Sequence, residues 1–342
     1  MLTDGQILIY NKTSRTYQKP TVESGFRIST SADFEPGKLT FKVEKKGTKT
    51  TFKEGDAVWF YPSRFKGYIF EITDNSDAGA IEYTAYDQLR YMKAKDTYVF
   101  SKSYSPEHIF QKICQDYKLS FTNFGLVANN TFKYGGVWEN VELLDIMKDI
   151  ADHVLKTTGK KIILMDDMGK ICWRPLGHAD GNLVKAGAIV SMRAKGKITL
   201  SSMEGYEYSS NINDTYNQVK VFYDNDSTGK REVYIAKDSN SINKWGLLSM
   251  AETMQKGELG QSKANNLLRL YNHQNKSLEL KNVLSDGSLR AGQLIKVEFT
   301  IPHEKFNHWF MIKKCEHTVN ETGILSNLTL QGGEFGGGWR YN

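Results

Sequence analysis

GYIFEITDNSDAGAIEYTAYDQLRYMKAKDTYVFSKSYSPEHIFQKICQDY, residues 67–117, changes its periodicity halfway along. The first half alternates as strands of a twisted antiparallel sheet do. Tyr68, Phe70 and Ile72 are assigned to one face, and after the polar Asp74–Gly79 turn Ile81, Tyr83 and Ala85 resume the period. In the second half Ser105-Pro106-Glu107 is a helix start: a capping serine, a proline at the first helical position and an acid in the first turn. Ile109, Phe110, Ile113, Cys114 and Tyr117 follow at helical spacing. Tyr86–Met92, between the halves, leaves the sheet, so a β-region ends here and an α/β region begins.

Working outward toward the N-terminus, Gln6–Tyr10, Gly25–Thr30, Lys38–Val43, Ala57–Tyr61, Tyr68–Thr73 and Ala80–Ala85 read as strands. Turns at Pro36-Gly37, Lys46-Gly47, Glu54-Gly55 and Asn75–Gly79 separate them. Short strands with hairpin-length links predict a small antiparallel barrel or sandwich over residues 1–100. Residues 101–200 differ. Asn140 is positioned to cap a second helix with an apolar stripe of Leu143, Leu144, Met147, Ile150, Ala151, Val154 and Leu155, and Gly159 is a stop. Leu119–Phe124 is a strand or loop, and Lys161–Met165 and Lys170–Arg174 form a strand pair, completing an inserted α+β domain.

Residues 201–342 return to strands. Gln218–Tyr223 and Arg231–Ala236 flank a polar hairpin loop, and 247–272 reads as helical or mixed, weakened by Gly257 and Gly260. Leu278–Asn282, Leu294–Thr300, Trp309–Thr318 and Ser326–Gln331 complete a second barrel, followed by the glycine-rich tail Gly332–Gly338. The two ends echo each other. Glu54-Gly55-Asp56-Ala57-Val58 and Arg290-Ala291-Gly292-Gln293-Leu294 are both glycine turns feeding a strand, and bulky strands at Gly67–Glu71 and His308–Ile312 follow. The fold class expected is therefore α+β and β-rich: two related small antiparallel, tube-like β-barrels with an inserted α+β domain.

Composition narrows the class without naming a chemistry. The chain has 342 residues, 39% hydrophobic, 12% aromatic and 25% charged, in the range of a soluble globular protein of two or three domains. Its 45 basic and 39 acidic residues are interspersed for a formal charge of +6, which is not the concentrated excess of a nucleic-acid binder. Three scattered cysteines, no basic-then-apolar leader and no run of 18 apolar residues predict synthesis in a reducing cytoplasm and no membrane insertion.

A search for catalysis finds alternatives that plain structure explains. His303-Glu304…His308 resembles a zinc-protease helix signature but is one residue too long, and Pro302 with Asn307 favours a polar hairpin tip. His153 beside Asp152 falls at the edge of a packed helix face. Asp166-Asp167 and Glu71/Asp74 are pairs that a glycoside hydrolase would need, but a turn and a strand end account for them. Gly332–Gly338 is no phosphate loop, since neither Lys-Ser/Thr nor a helix start follows, and Cys114 faces an apolar side, wrong for a thiolate. Lys42–Lys53 carries five lysines with Phe41 and Phe52 beside or within it, yet reads as a solvated, aggregation-blocking hairpin. No catalytic, cofactor-binding or metal-binding residues are assigned and no cofactor is expected.

The order of elements, with Tyr-x-Ala-Tyr-Asp-x-Leu-Arg-Tyr at Tyr83–Tyr91, Ser-Pro-x-x-Ile-x-x-x-Ile-Cys at Ser105–Cys114, Asn-Val-x-Leu-Leu-Asp-Ile-Met at Asn140–Met147 and Asp-Asp-Met-Gly in the strand pair, resembles the XkdQ/YqbQ group of prophage tail proteins. That group is similar to the late control protein D family and to the hub part of VgrG spikes. The resemblance is specific at Tyr83–Cys114 and Asn140–Trp173 and rests on element order from about residue 198 onward. It implies a structural, non-enzymatic baseplate hub of a contractile phage tail or phage-derived bacteriocin. It further implies a homotrimer whose six barrels form a pseudo-hexameric ring between tail tube and trimeric spike. Tube protein, spike protein, other baseplate proteins and a tape measure are the partners it implies, with no stable nucleic-acid binding. The chain ends at Asn342 soon after the second barrel, so the spike is expected to be a separate protein. The competing readings are a tail-associated peptidoglycan-degrading enzyme and a carbohydrate- or nucleic-acid-binding module.

Overall fold

A computed structural model of the chain describes residues 6–45, 51–101, 104–123, 134–158, 161–175, 193–225, 229–254 and 257–331. The first β-region comprises β1 (Leu8–Asn11), β2 (Thr16–Gln18), β3 (Phe26–Ser31), β4 (Lys38–Glu44), β5 (Ala57–Phe60), β6 (Phe65–Asp74) and β7 (Ala80–Tyr86). Alternation explains them: in β4 Leu39, Phe41 and Val43 are buried while Lys38, Lys42 and Glu44 are exposed. The expected face of β6 is corrected. Phe65, Gly67 and Ile69 are buried, which leaves Tyr68 and Phe70 on the other face, and the bulge between Ile69 and Glu71 carries Ile72 over to the core side, away from them.

The insert opens with a 3-10 helix, Gln88–Lys93, and β8 (Lys95–Phe100). It continues with α1 (Pro106–Asp116), β9 (Phe121–Asn123), β10 (Gly136–Glu142), α2 (Leu143–Thr158), β11 (Ile162–Asp166) and β12 (Ile171–Pro175). Ser105 caps α1 as the sequence predicts, its Oγ accepting from the His108 N–H at 3.2 Å. Asn140 does not cap α2. It lies inside β10 at φ 53°, and the Leu143 N–H at the head of α2 donates to the Ala94 carbonyl instead. Lys95–Phe100, read as part of the first β-region, pairs among the described residues only with β10. Gly159 and the glycine-rich tail lie outside the described residues. Trp173 stacks on Phe110 at 5.8 Å in a core that α1, α2 and the β11–β12 pair share with Phe34 and Leu89.

The last third contains β13 (Arg193–Ile198), β14 (Gly205–Asn211), β15 (Gln218–Asn225), β16 (Lys230–Lys237), α3 (Ser239–Trp245), β17 (Ser249–Thr253), α4 (Gly260–Tyr271), β18 (Asn275–Ser285), β19 (Leu294–Ile301), β20 (Glu304–Asn320) and β21 (Gly323–Gln331). The hairpin β15–β16, expected within the second barrel, forms its own three-stranded sheet with β17, which α4 covers to form a second inserted unit. Gly260 starts α4 and does not weaken it. Its missing side chain admits the Tyr234 ring, whose Cδ2 would lie 2.2 Å from a Cβ there.

The two β-regions are fused. One 13-stranded sheet runs β14-β18-β21-β20-β3-β4-β7-β6-β5-β1-β2, with β13 and β19 joined through β20. The two β-regions expected from the sequence thus share one continuous sheet, and the pairings among the described residues close neither half into a barrel. Within this sheet the echo between the ends becomes a repeat. The spatial order β3-β4-β7-β6-β5-β1 reappears as β14-β18-β21-β20-β19-β13, with each strand in the same chain order. Gly55 and Gly292 both sit at φ 84°. The Gly55 N–H donates to Ile69 O while Ile69 N–H donates to Asp56 O, and Gly292 and Gln293 repeat this with Ile312. The bulge at Ile69/Glu71 recurs at Ile312/Lys314. Only the sixth strand departs, since β1 runs antiparallel to β5 and β13 parallel to β19.

The paired glycines give a test. Alanine at either site places a side chain in the left-handed region at a cost of about 1–2 kcal/mol. At Gly292 the new Cβ would also lie 2.7 Å from the Met165 Sδ, whereas at Gly55 its nearest neighbour is the mobile end of Lys12 at 3.4 Å. Urea unfolding should therefore show Gly292→Ala as the more destabilising of the two.

Candidate functional site

The densest polar cluster lies where the two β-regions meet the first insert. Asp87 ends β7, and its carboxylate accepts from the Leu89 N–H at 3.0 Å and the Gly37 N–H at 2.7 Å. Gln88, next in the chain, reaches the insert, donating to the Gly169 carbonyl and accepting from the Ser120 N–H at 3.0 Å. The turn from β11 to β12 puts Met168 and Gly169 at positive φ, with the Gly169 N–H donating to Asp166 Oδ1 at 2.8 Å. That turn presents Asp167 to two arginines. Arg64, from the β5–β6 turn, donates to both carboxylate oxygens at 2.7 and 2.9 Å, and Arg290, ahead of β19, donates at 2.7 Å. Arg290 also donates to the Asp166 carbonyl. Three segments of chain are thereby tied by one carboxylate.

The two neighbouring aspartates sit in opposite electrostatic states. Burial would raise the Asp167 carboxyl, but hydrogen bonding to Arg64 and the charges of Arg290 and Arg64 hold it below its ordinary value. Burial pushes Asp166 up to about 6, only partly offset by the Gly169 N–H and the Arg290 charge. Burial, then the Asp166 charge, drives Asp87 well above its ordinary value. Among the described residues Asp166 Oδ2 and Arg290 Nε lie without a hydrogen-bond partner. The pair Asp166-Asp167 is therefore more than a turn, but it is occupied. Asp167 is spent on two arginines and Asp166 is 5% exposed, leaving neither carboxylate open to a sugar. A cleft of about 520 Å³ contains neither of them; it crosses the sheet at the fusion of the β-regions between Glu35, Glu279, Lys314 and Asn327.

The remaining candidates separate. His303 and Glu304 are at the tip of the β19–β20 hairpin, and Glu304 pairs with Lys276 at 2.6 Å. Glu71 and Asp74 lie on the exposed end of β6, where Asp74 pairs with Lys45 at 2.6 Å. His153 lies 3.4 Å from Glu258 where α2 meets the second inserted unit, its pKa lowered by burial. Cys114 is fully buried and its thiol is pushed up to about 12 by desolvation. In Lys42–Lys53, of which residues 46–50 lie outside the described set, Phe41 and Phe52 pack on Tyr83 in the core and offer no stacking platform. Among the described residues no group of three or more His, Cys, Asp or Glu forms a metal site, and no helix is long and apolar enough to cross a membrane.

This fold superposes on solved structures of prophage tail proteins. The prophage tail protein gp18 of Listeria monocytogenes EGD-e superposes with TM-score 0.62 at 12% identity, covering 95% of this chain and 94% of that one. The E. coli c3393 protein, described as a type VI secretion component structurally similar to T4 tail proteins gp27 and gp5, superposes with TM-score 0.54 at 10% identity, over 92% of this chain and 76% of that one. Residues 26–331 match the YQBQ-like family model, and the chain belongs to that family. The Bacillus subtilis phage-like element PBSX protein XkdQ is 27% identical over 307 residues, 85% of this chain and 88% of that one.

The charge junction makes two predictions. Removing Arg290, 5% exposed, by Arg290→Met leaves buried carboxylates uncompensated and should cost about 3–5 kcal/mol. Arg64→Met, whose side chain is 44% exposed, should cost about 1 kcal/mol or less. Second, the folded state takes up a proton on Asp166 at a pH where the unfolded chain does not. The contribution of this group to stability therefore rises as pH falls through about 6 and levels off near its ordinary value of 3.8. Asp166→Asn should abolish that rise in denaturation midpoints measured against pH.

Proposed function

We propose that this protein is the structural hub of a phage-tail baseplate, a homotrimer whose six tube-like β-units form a pseudo-hexameric ring joining the tail tube to a trimeric spike. The observation that carries this reading is the repeat: one chain holds two β-units of the same strand order, fused side by side. Three such chains supply six units to a sixfold tube and three identical positions to a threefold spike. Tail proteins with the same fold, and the gp27 and gp5 likeness described for the E. coli relative, support a place at the tube–spike junction. The division into a first unit, an inserted α+β unit near residues 101–200 and a second unit near 201–342 belongs to this proposal.

The role is non-enzymatic. Of the neighbouring carboxylates that a peptidoglycan-cleaving enzyme would use, Asp167 is salt-bridged across the junction of the three regions and Asp166 is buried. Tail-tube protein, spike protein, other baseplate proteins and a tape measure are the partners proposed. The tail belongs to a contractile phage or a phage-derived bacteriocin, and the chain is made in the bacterial cytoplasm before assembly.

Light scattering of the purified chain, alone and mixed with the tube and spike proteins of the same tail, tests the reading. A mass of three chains and six-lobed rings in electron micrographs are expected. A chain that stays monomeric with both partners present contradicts it, as does release of soluble fragments from purified cell walls by the chain alone.

A further inference from the structure

The repeat does more than count units, because one of the two seams that a ring of such units needs is already built inside the chain. The second half of β20 pairs antiparallel with β3, Lys314 opposite Ser31, Glu316 opposite Ser29 and His317 opposite Ile28. In the repeat β20 corresponds to β6 and β3 to β14. Among the described residues the matching edges have no strand beside them. Beyond the contacts of Ile69 with Gly55 and Asp56, the end of β6 pairs as a strand only with β7, and β14 is the terminal strand of the sheet, paired as a strand only with β18. Their residues are correspondingly exposed: Glu71, Thr73 and Asp74 on β6, and Tyr206, Glu207, Ser209, Ser210 and Asn211 on β14. The equivalent edges inside the chain are paired.

We infer that the Glu71–Asp74 edge of one copy pairs antiparallel with the Gly205–Asn211 edge of the next, in the register that the internal seam dictates. The occupant of each edge is a second copy of this chain. The register follows residue by residue. Ile69 and Ile312 hold the same place before their bulges, so Thr73 stands where Glu316 does. Ser29 pairs with Lys38 opposite Tyr86, and Ser209 pairs with Ser277 at the level of Gln331, so Ser209 stands where Ser29 does. Because Glu316 faces Ser29, Thr73 faces Ser209 across the new seam, Glu71 faces Asn211 and Asp74 faces Tyr208.

Physical chemistry favours this use of both edges. Each presents unpaired backbone donors and acceptors, which natural sheets protect or pair. Two of the acids beside the seam already carry cations, Asp74 bound by Lys45 at 2.6 Å and Glu207 by Lys281 at 3.0 Å, and Glu71 faces the neutral Asn211, so no two bare carboxylates are opposed. The contact is head-to-tail, joining different surfaces of the two copies, and such contacts close into rings when the rotation from copy to copy completes a turn. Within one chain the two edges are not paired, and six strands of the sheet lie between β6 and β14. The count of three copies rests on the proposed hub role; the seam and its register do not.

Disulfide trapping in the full chain tests the register. Thr73→Cys with Ser209→Cys places two thiols on directly opposed residues, within the range of a cross-strand disulfide. The native cysteines Cys114, Cys172 and Cys315 are buried and do not compete. Oxidation should shift the double variant from its 38.9 kDa band to a ladder of multiples on a non-reducing gel. Ser29→Cys with Glu316→Cys, the internal counterpart, should close within one chain without changing its mass. Glu71→Cys with Tyr206→Cys, out of register, should give no ladder. Trimers by light scattering without the Thr73–Ser209 ladder would overturn the seam and leave the hub reading standing. A chain that is monomeric by light scattering, with no ladder even beside tube and spike proteins, would overturn both.

Discussion

The pairing of Lys314–Val319 with Phe26–Ser31 is the constraint on which the molecule depends. β20 has 17 residues, about 56 Å of extended chain, far more than one unit of the sheet needs. Its first half completes the second β-unit against β19, and its second half crosses to satisfy the edge of β3. Backbone donors and acceptors buried at that boundary must be hydrogen-bonded, and the ladder between β20 and β3 does this without a linker. The tip of the β20–β21 hairpin then enters the core of the other unit, where Val319 and Ile324 pack with Ile28, Phe60 and Phe65. Two units joined in this way cannot swing independently, so their spacing is fixed by strand geometry. The ring proposed for this chain would need that fixed spacing.

The charge junction completes the same logic for the first insert. Apolar packing alone, through Ile163, Met165 and Cys172 against Ala32, Ala291 and Met311, would attach the β11–β12 pair to the sheet. Asp167 adds direction, because its carboxylate satisfies an arginine from each β-unit only when the insert, β6 and the turn before β19 are all in place. Burial makes this arrangement sensitive to the loss of one partner, since a stranded charge costs more than a completed pair returns. The insert is therefore held in a single position on the fused sheet.

Much of this was legible in the sequence, and the limits have physical causes. Period-two alternation found the strands of both β-units because each has one buried and one wet face, and the capping serine and proline found α1. The Gly55 and Gly292 turns were legible because a left-handed turn leaves glycine as a visible mark. Alternation failed at β6, where one bulged residue reverses every later face, and at Asn140, where a backbone carbonyl from Ala94 replaced the side-chain cap. The fusion of the two units could not be read, because strand-to-strand pairing between residues nearly 300 apart leaves no local pattern. The junction was hidden for the same reason. Arg64 and Arg290 lie 103 and 123 residues from Asp167, and nothing in Asp-Asp-Met-Gly distinguishes a tied aspartate from an ordinary turn.

Hydrogen exchange on the unassembled chain tests the central claim most directly, because it reads the internal seam and the bare edges together. The account predicts slow exchange for the amides of Phe26–Ser31 and Lys314–Val319 that bond across the seam, beside fast exchange along the free edges of Glu71–Asp74 and Gly205–Asn211. Exchange at Phe26–Ser31 as fast as at Gly205–Asn211 would contradict it, since the two β-units would then not be joined through their strands.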